Sequence, residues 1–358
     1  MKKWQFVFLS ILFVVVFVFY GIGVSSSIVS FSIDGEVVQY EIYDEEENLL
    51  TFKSEVEIGD TILTKDFYEY QIFKIEGNKC YARVLRKLNP PKFSKARNQQ
   101  SNKDKKLCLY MTHNDESYTL SDGYDSIYGA GGIHDVAKQL KREFQKLGIE
   151  VVLDETLHIP HDSSAYSRSS VTAKSLFSSH KPDALFDIHR DGVARKYYYT
   201  AHNGVDYSKI RIVVGKSNPN FEENYKFAQE VFAVGNALYP WLFLDIYCGK
   251  GHYNQALMST NLLFEMGTYL IEKEYVLNSV PLLADTIESA MYAVTTVPEE
   301  EEDATEDVYD VLIKEDVGLK KDETVAGHKN AGNLIFVAIL LATLLGGAFV
   351  LSIKKKNK

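Results

Sequence analysis

The chain of 358 residues carries 49 acidic against 39 basic side chains, a formal net charge of −10, with 46% hydrophobic and 13% aromatic residues. An acidic balance of this kind excludes nucleic acid as the expected partner, and the apolar content excludes a disordered chain. The three cysteines, Cys80, Cys108 and Cys248, lack metal-ligand spacing and are odd in number, so buried thiols are expected rather than a disulfide framework.

Met1-Lys2-Lys3 precedes an almost unbroken apolar run from Trp4 to Val24, followed by Ser25-Ser26-Ser27. A basic flank, an apolar centre and small residues predict a signal peptide or signal anchor over residues 1–26, long enough to span a bilayer. Residues 28–88 alternate apolar and polar side chains in short runs, as at Val37 to Tyr43 and Tyr68 to Ile75, with turns at Asp34-Gly35, Gly59-Asp60 and Glu76-Gly77-Asn78. That pattern predicts a small antiparallel β module. No chemistry is legible in it, and it reads as a spacer or a docking surface. Asn89-Pro90-Pro91 opens a polar, basic segment without periodicity, the expected linker over 89–106.

Residues 107–296 are expected to fold as a domain of their own. Leu107 to Tyr110 reads as a strand. Ile133, Val136, Ala137, Leu140, Phe144 and Leu147 recur at helical spacing, Gly148 is placed to end that helix, and Ile149 to Leu153 is the next strand. Further strands are expected around Leu185, at Ile210 to Gly215 and at Leu262 to Glu265. Asn218-Pro219 opens a helix carrying Phe221, Tyr225, Ala228, Phe232 and Leu238, and a last helix covers Glu272 to Tyr292. The alternation predicts an α/β fold with a mixed, mostly parallel sheet and flanking helices. Residues 297–332 read as an acidic spacer. The apolar run Leu334 to Ile353, followed by four lysines, predicts a transmembrane helix over 333–353 with a basic cytoplasmic tail, 354–358. Everything between the two apolar runs is then expected on the extracytoplasmic side of the cell membrane.

Three apolar strands in this domain run into metal-capable or acidic side chains: Tyr110 into His113 and Glu116, Ile188 into His189, Arg190 and Asp191, and Phe264 into Glu265. In open α/β sheets such groups gather beyond the carboxyl ends of the strands. His113, Glu116 and His189 offer two nitrogens and one carboxylate oxygen, the ligand set of a catalytic Zn²⁺ with an open position. Glu265, after an apolar strand that would raise its pKa, is expected as the general base. Arg168 and Arg190 suit peptide carboxylates or salt bridges to Asp162 and Asp191. His252, beside Tyr253-Asn254-Gln255, is a substrate-binding candidate together with Asn254 and Gln255. His161 and Asp162 form a structural or substrate-contacting pair, while His158, His180, His202 and His328 read as surface residues.

Several of these segments carry a resemblance. Thr112-His113-x-x-Glu116-Ser117-Tyr118, His161-Asp162-x-x-x-Tyr166-Ser167-Arg168-Ser169-x-x-Thr172, Asp187 to Gly192, Asn218-Pro219-Asn220-x-Glu222-Glu223-Asn224, Tyr253-Asn254-Gln255 and Leu262-Leu263-x-Glu265-x-Gly267 occur in one order over about Leu107 to Val294. In this they resemble the stage II sporulation protein P family. The resemblance implies a zinc-dependent cell-wall hydrolase of the N-acetylmuramoyl-L-alanine amidase type acting in spore engulfment, with peptidoglycan as substrate and cross-link cleavage as a second activity. It also implies a sheet like that of zinc carboxypeptidases, further sporulation wall-remodelling proteins as partners, and His134 as an alternative ligand to Glu116. Met111, Ala256 and Thr268 depart from the family pattern. They motivate a second expectation, a catalytically weak wall-binding or scaffold paralogue of the same fold.

Overall fold

The computed structural model describes residues 39–91 and 104–292. The two apolar runs, the acidic spacer and most of the expected linker lie outside them. Among the described residues no helix is long and apolar enough to cross a membrane.

Among the described residues, thirteen strands and six α-helices position the site. The strands are β1 (Tyr40–Tyr43), β2 (Leu49–Lys53), β3 (Thr61–Leu63), β4 (Tyr68–Glu76), β5 (Lys79–Lys87), β6 (Lys106–Tyr110), β7 (Glu150–Leu153), β8 (Ala184–Asp191), β9 (Tyr199–His202), β10 (Val205–Ser208), β11 (Ile210–Gly215), β12 (Phe243–Gly249) and β13 (Asn261–Thr268). The helices are α1 (Thr119–Asp122), α2 (Ile133–Lys146), α3 (Ala165–His180), α4 (Arg195–Tyr198), α5 (Phe221–Leu238) and α6 (Lys273–Tyr292). All strands except the β9–β10 hairpin join one sheet, in the order β2-β1-β5-β4-β3-β12-β11-β13-β8-β6-β7. Pairing within β7, β6, β8 and β13 is parallel, as is that of β11 with β12, and the two groups meet antiparallel at β11–β13. The sheet is therefore mixed. Strand β12 and helix α3 were not legible in the sequence.

Side chains alternate across a strand, so each central strand divides its residues between two faces. Phe186 and Ile188 of β8, Phe264 and Met266 of β13, and Ile210 and Ile212 of β11 enter the main core with α2, α5 and α6. The opposite face carries Asp187, His189 and Asp191 of β8, Glu265 of β13 and Arg211 of β11. Register places Arg211 against Glu265 and Glu265 against His189, a polar row across three adjacent strands. The sequence reading expected His189, Asp191 and Glu265 at or beyond the strand ends. They lie instead within the strands, because β8 and β13 continue past their apolar stretches and turn the polar residues onto one face.

Two elements cover that face and leave a cleft between them. Helix α3 packs on Cys108, Tyr110 and Leu185. The N-terminal strands cover the rest: β3 pairs with β12, and Tyr247 of β12 joins Ile42, Ile62, Ile72, Cys80 and Ala82 in a second core. Register shifts at Ile42/Tyr43, Glu69/Tyr70 and Ile72/Lys74 bend these strands. Strand β2, at the N-terminal edge of the strand order, reaches the polar face through Thr51 and Lys53. Arg211, wholly buried, donates to Asp191 at 2.9 Å, to Asp245 at 2.7 Å and to Thr51 Oγ1 at 2.7 Å. Its guanidinium lies 4.9 Å from the Phe52 ring centre and 5.7 Å from that of Tyr247. Stripping one partner from such a buried ion network costs roughly 3–5 kcal/mol. The N-terminal strands are thus built into the sheet at its most polar point, not set apart as a spacer. All three cysteines are buried, and burial pushes the Cys80 thiol up to about 11 and that of Cys108 up to about 12.

Candidate active site

The loop after β6 is held from both sides. Thr112 donates through its backbone N–H (2.8 Å) and its hydroxyl (2.6 Å) to Asp187, which ties the loop to β8. Gly131 donates to the Asn114 carbonyl and Ile133 to the Glu116 carbonyl, so the start of α2 supports the loop from beneath. A Cβ on Gly131 would collide with the backbone of Asn114, Asp115 and Glu116, and only glycine permits that approach. Buried His158 completes the bracket: its imidazole lies 2.8 Å from the Met111 carbonyl and 2.8 Å from the Thr172 hydroxyl.

This loop presents the Glu116 carboxylate between two imidazoles. His113 Nδ1 is 3.3 Å from one oxygen, and His189 Nδ1 is 3.6 Å from the other. Donor atoms of His113, Glu116 and His189 all lie within 4.8 Å of one another. The Arg190 backbone N–H also donates to Glu116 at 3.0 Å. Burial opposes charge on Glu116, but His189 and His113 hold its carboxyl well below the usual range. His189 Nε2 sits 3.0 Å from Asp187, off the line needed for a hydrogen bond. His113 stacks on His161 with ring centres 3.8 Å apart, and His161 is fixed by Asp115 at 3.1 Å.

Glu265 lies one strand from His189. Its Oε1 accepts from the Lys53 ammonium at 3.1 Å, and its buried Oε2 has no hydrogen-bond partner. Burial raises its carboxyl above the usual range, with Lys53 pulling the other way. Lys53 also contacts Asp191 at 3.0 Å. These groups line a cleft of about 500 Å³ together with Tyr166, Arg190 and Tyr253. Two nitrogens and a carboxylate oxygen that converge in a cleft beside an orphaned carboxylate oxygen fit a zinc ion with an accessible position.

A family model for stage II sporulation protein P (SpoIIP) matches residues 36–288. The chain belongs to the stage II sporulation protein P family. It is similar to the stage II sporulation protein P of Bacillus subtilis (strain 168), 29% identical over 198 residues, which is 50% of this chain and 48% of that protein. The chain thus spans about half the length of that curated relative. Among solved structures, it is similar to the catalytic domain of CwlV, an N-acetylmuramoyl-L-alanine amidase from Bacillus (Paenibacillus) polymyxa var. colistinus, at 14% identity and a TM-score of 0.35, covering 53% of this chain and 99% of that one. It is also similar to the CwlD amidase of Clostridioides difficile in complex with the GerS lipoprotein, at 14% identity and a TM-score of 0.34, covering 52% and 95%. Overlaps of this size define neither reaction nor substrate.

Among the residues singled out by sequence in this family member, His113, Glu116, His189 and Glu265 converge. His134 does not: it sits in the first turn of α2, 3.0 Å from Glu155, and takes no part in the three-residue cluster. Arg168 is occupied by the His158 and Pro160 carbonyls and by Asp162 at 2.7 Å. The side chain of Arg190 donates to the Ser117 and Asp125 carbonyls at the cleft edge, and Asp191 bonds Lys53 and Arg211 instead of Arg190. Asn254 donates to Ser169 Oγ at 2.9 Å, and Gln255 is fully buried, bridging the Gly215 N–H and the Val213 carbonyl along β11. Both are used in holding the fold. His252 is exposed on a second cleft, about 520 Å³, which shares Tyr166, Gly251 and Tyr253 with the first.

Two other sequence expectations are corrected. His161 pairs with Asp115, not with its neighbour Asp162, and His158 is buried rather than on the surface. The family departures also find places. The Met111 side chain is in the core, Thr268 donates to the Val193 carbonyl, and the Ala256 carbonyl accepts from Asn220. Lys53 was missed altogether. The one signal for it was a lysine ending an apolar strand, which is common on any surface.

Proposed function

We propose that this chain is a membrane-anchored, zinc-dependent hydrolase of peptidoglycan that cleaves the amide between N-acetylmuramic acid and the L-alanine of the stem peptide during sporulation. The observation that carries the reading is the convergence of His113, Glu116 and His189 beside the orphaned oxygen of Glu265 in one cleft. Family membership and the resemblance seen in the sequence support wall peptidoglycan as the substrate and wall-remodelling proteins as partners.

His113, Glu116 and His189 would hold the metal. Zinc bound there would polarise the scissile carbonyl and acidify the attacking water. Glu265 takes the proton of that water at Oε2 and returns it to the amide nitrogen as the C–N bond breaks, which leaves a carboxylate on the muramic acid and a free amine on alanine. Asp187 and His161 limit rotation of the two imidazoles. Tyr166 and Tyr253 wall the cleft beside Glu265.

Product analysis tests the reading. Purified peptidoglycan treated with the protein and zinc is expected to gain free alanine amino termini without new reducing sugar ends. New amino groups on cross-bridge residues alone would assign the activity to the cross-link. Wall binding without any product would favour the scaffold paralogue.

The membrane reading rests on the basic-flanked apolar runs at 4–24 and 334–353. With both flanks inside, protease added to protoplasts is expected to digest the chain between Ser27 and Asn333 and to spare a tag placed after Lys358. Protection of the whole chain would place it in the cytoplasm.

A further inference from the structure

We propose that Lys53, delivered by the N-terminal strand β2, is a positioning residue that holds the Glu265 carboxylate by one oxygen and leaves the other directed to the reaction. The inference rests on the reading of Glu265 as the general base.

Charge alternates along one buried path: Asp245, Arg211, Asp191, Lys53, Glu265. Asp191 does not need the lysine to be satisfied. Its Oδ2 accepts from Arg211 at 2.9 Å and from Tyr198 Oη at 3.0 Å, and its Oδ1 accepts from the Gly192 N–H at 2.8 Å. Glu265 differs. Among the described residues, Lys53 supplies the hydrogen bond it receives, at Oε1, and Oε2 has none. A carboxylate left wholly free in a cleft can turn about its last bond. One gripped at a single oxygen by a fixed donor presents the second oxygen in one direction, which is the geometric demand on a proton acceptor. An ammonium has donors and no acceptor, so the lysine cannot compete for the proton that Glu265 takes.

The grip is itself anchored. Thr51, two residues earlier on β2, bonds Asp245 and receives a hydrogen bond from Arg211, and Phe52 stacks on Tyr197 with ring centres 3.8 Å apart. The Lys53 side chain is only 13% exposed. A long flexible side chain is thereby held at both ends, which a surface lysine forming an incidental ion pair is not. The N-terminal strands accordingly belong to the catalytic apparatus, although all other groups in the path come from residues 187–265.

The test compares the unaltered protein with Lys53→Met, which keeps length but removes the donor, and with Lys53→Arg, which restores it. In Lys53→Met, bound zinc and KM for peptidoglycan are expected to stay unchanged while kcat falls about tenfold or more, part of the roughly 10²–10⁴-fold that a general base contributes. Lys53→Arg is expected to recover most of kcat. Crystals of the zinc-free proteins give a reading independent of turnover: Glu265 in one orientation against Lys53 in the unaltered protein, and rotated or in several orientations in Lys53→Met.

As a control, Glu69→Gln loosens the same strands where Glu69 meets Arg86 and Tyr225. It is expected to lower Tm without the loss of kcat. If Lys53→Met does not fold, Lys53→Leu, which also lacks a donor, carries the same comparison. The proposal is overturned by an unchanged kcat or an unchanged Glu265 orientation in Lys53→Met, by zinc loss accompanying the fall, or by an equal fall in Glu69→Gln. If the unaltered protein has no zinc-dependent turnover, the hydrolase reading fails, while the orientation of Glu265 in the crystals still decides the role of Lys53.

Discussion

Replacement of His189 by alanine is expected to abolish zinc binding and hydrolysis together. His189 is 3% exposed and shares the Glu116 carboxylate with His113, so its loss leaves one nitrogen and one carboxylate, too few for a tight site. The Lewis acid supplies several kcal/mol of transition-state stabilisation, and at about 1.4 kcal/mol per tenfold the loss of turnover is roughly a thousandfold or more. Metal content of the purified protein and turnover of peptidoglycan are the two measurements. His113→Ala and Glu116→Gln belong to the same class. His134→Ala does not, because His134 faces Glu155, and it is expected to retain both metal and activity. Asp187→Asn, which changes both the contact of His189 and the acceptor that holds Thr112 of the His113 loop, is expected to weaken zinc affinity about 10–100-fold. A His189→Ala protein that keeps its zinc, or unaltered protein that never binds a divalent metal, would remove the basis of the proposed function.

Glu265→Gln is expected to separate metal from chemistry. Glutamine matches the size of the carboxylate but cannot take a proton, and the side chain is outside the three-donor cluster. Zinc therefore stays, and kcat falls by about 10²–10⁴, the usual share of a general base. The buried environment sharpens the expectation: with desolvation holding the Glu265 carboxyl above the ordinary range, it is poised nearer neutrality than a surface glutamate. The result that counts against the mechanism is full turnover in Glu265→Gln. Loss of zinc in that variant would instead move Glu265 into the metal shell.

Much of the fold was open to a reader of the sequence, for local reasons. The helix at 133–146 follows from apolar spacing with Gly148, at φ 76°, just past its end. The central strands follow from Leu107, Ile188, Val213 and Leu263 in short β-branched or aliphatic runs. Helix α3 was not legible because its apolar face is thin: Ala165, Ala173 and Leu176 are buried among serines and threonines. Strand β12 was hidden by Asp245 and Tyr247, whose buried partners Arg211, Thr51 and Asp60 lie far away in sequence.

The site divides the same way. By itself the sequence determined which segments offer metal-capable and acidic side chains, because His113 with Glu116, His189 and Glu265 each sit in a short segment whose period sets which way a side chain turns. Only the tertiary structure decided which of those segments meet. Register across β11, β13 and β8 aligned Arg211, Glu265 and His189. Packing of other elements set His134 against Glu155, spent Gln255 on the backbone of β11 and brought Lys53, 212 residues away in the chain, to Glu265. Periodicity within a strand dictates the face of a side chain. The identity of the strand that lies opposite depends on the return path of the whole chain, which no local pattern encodes.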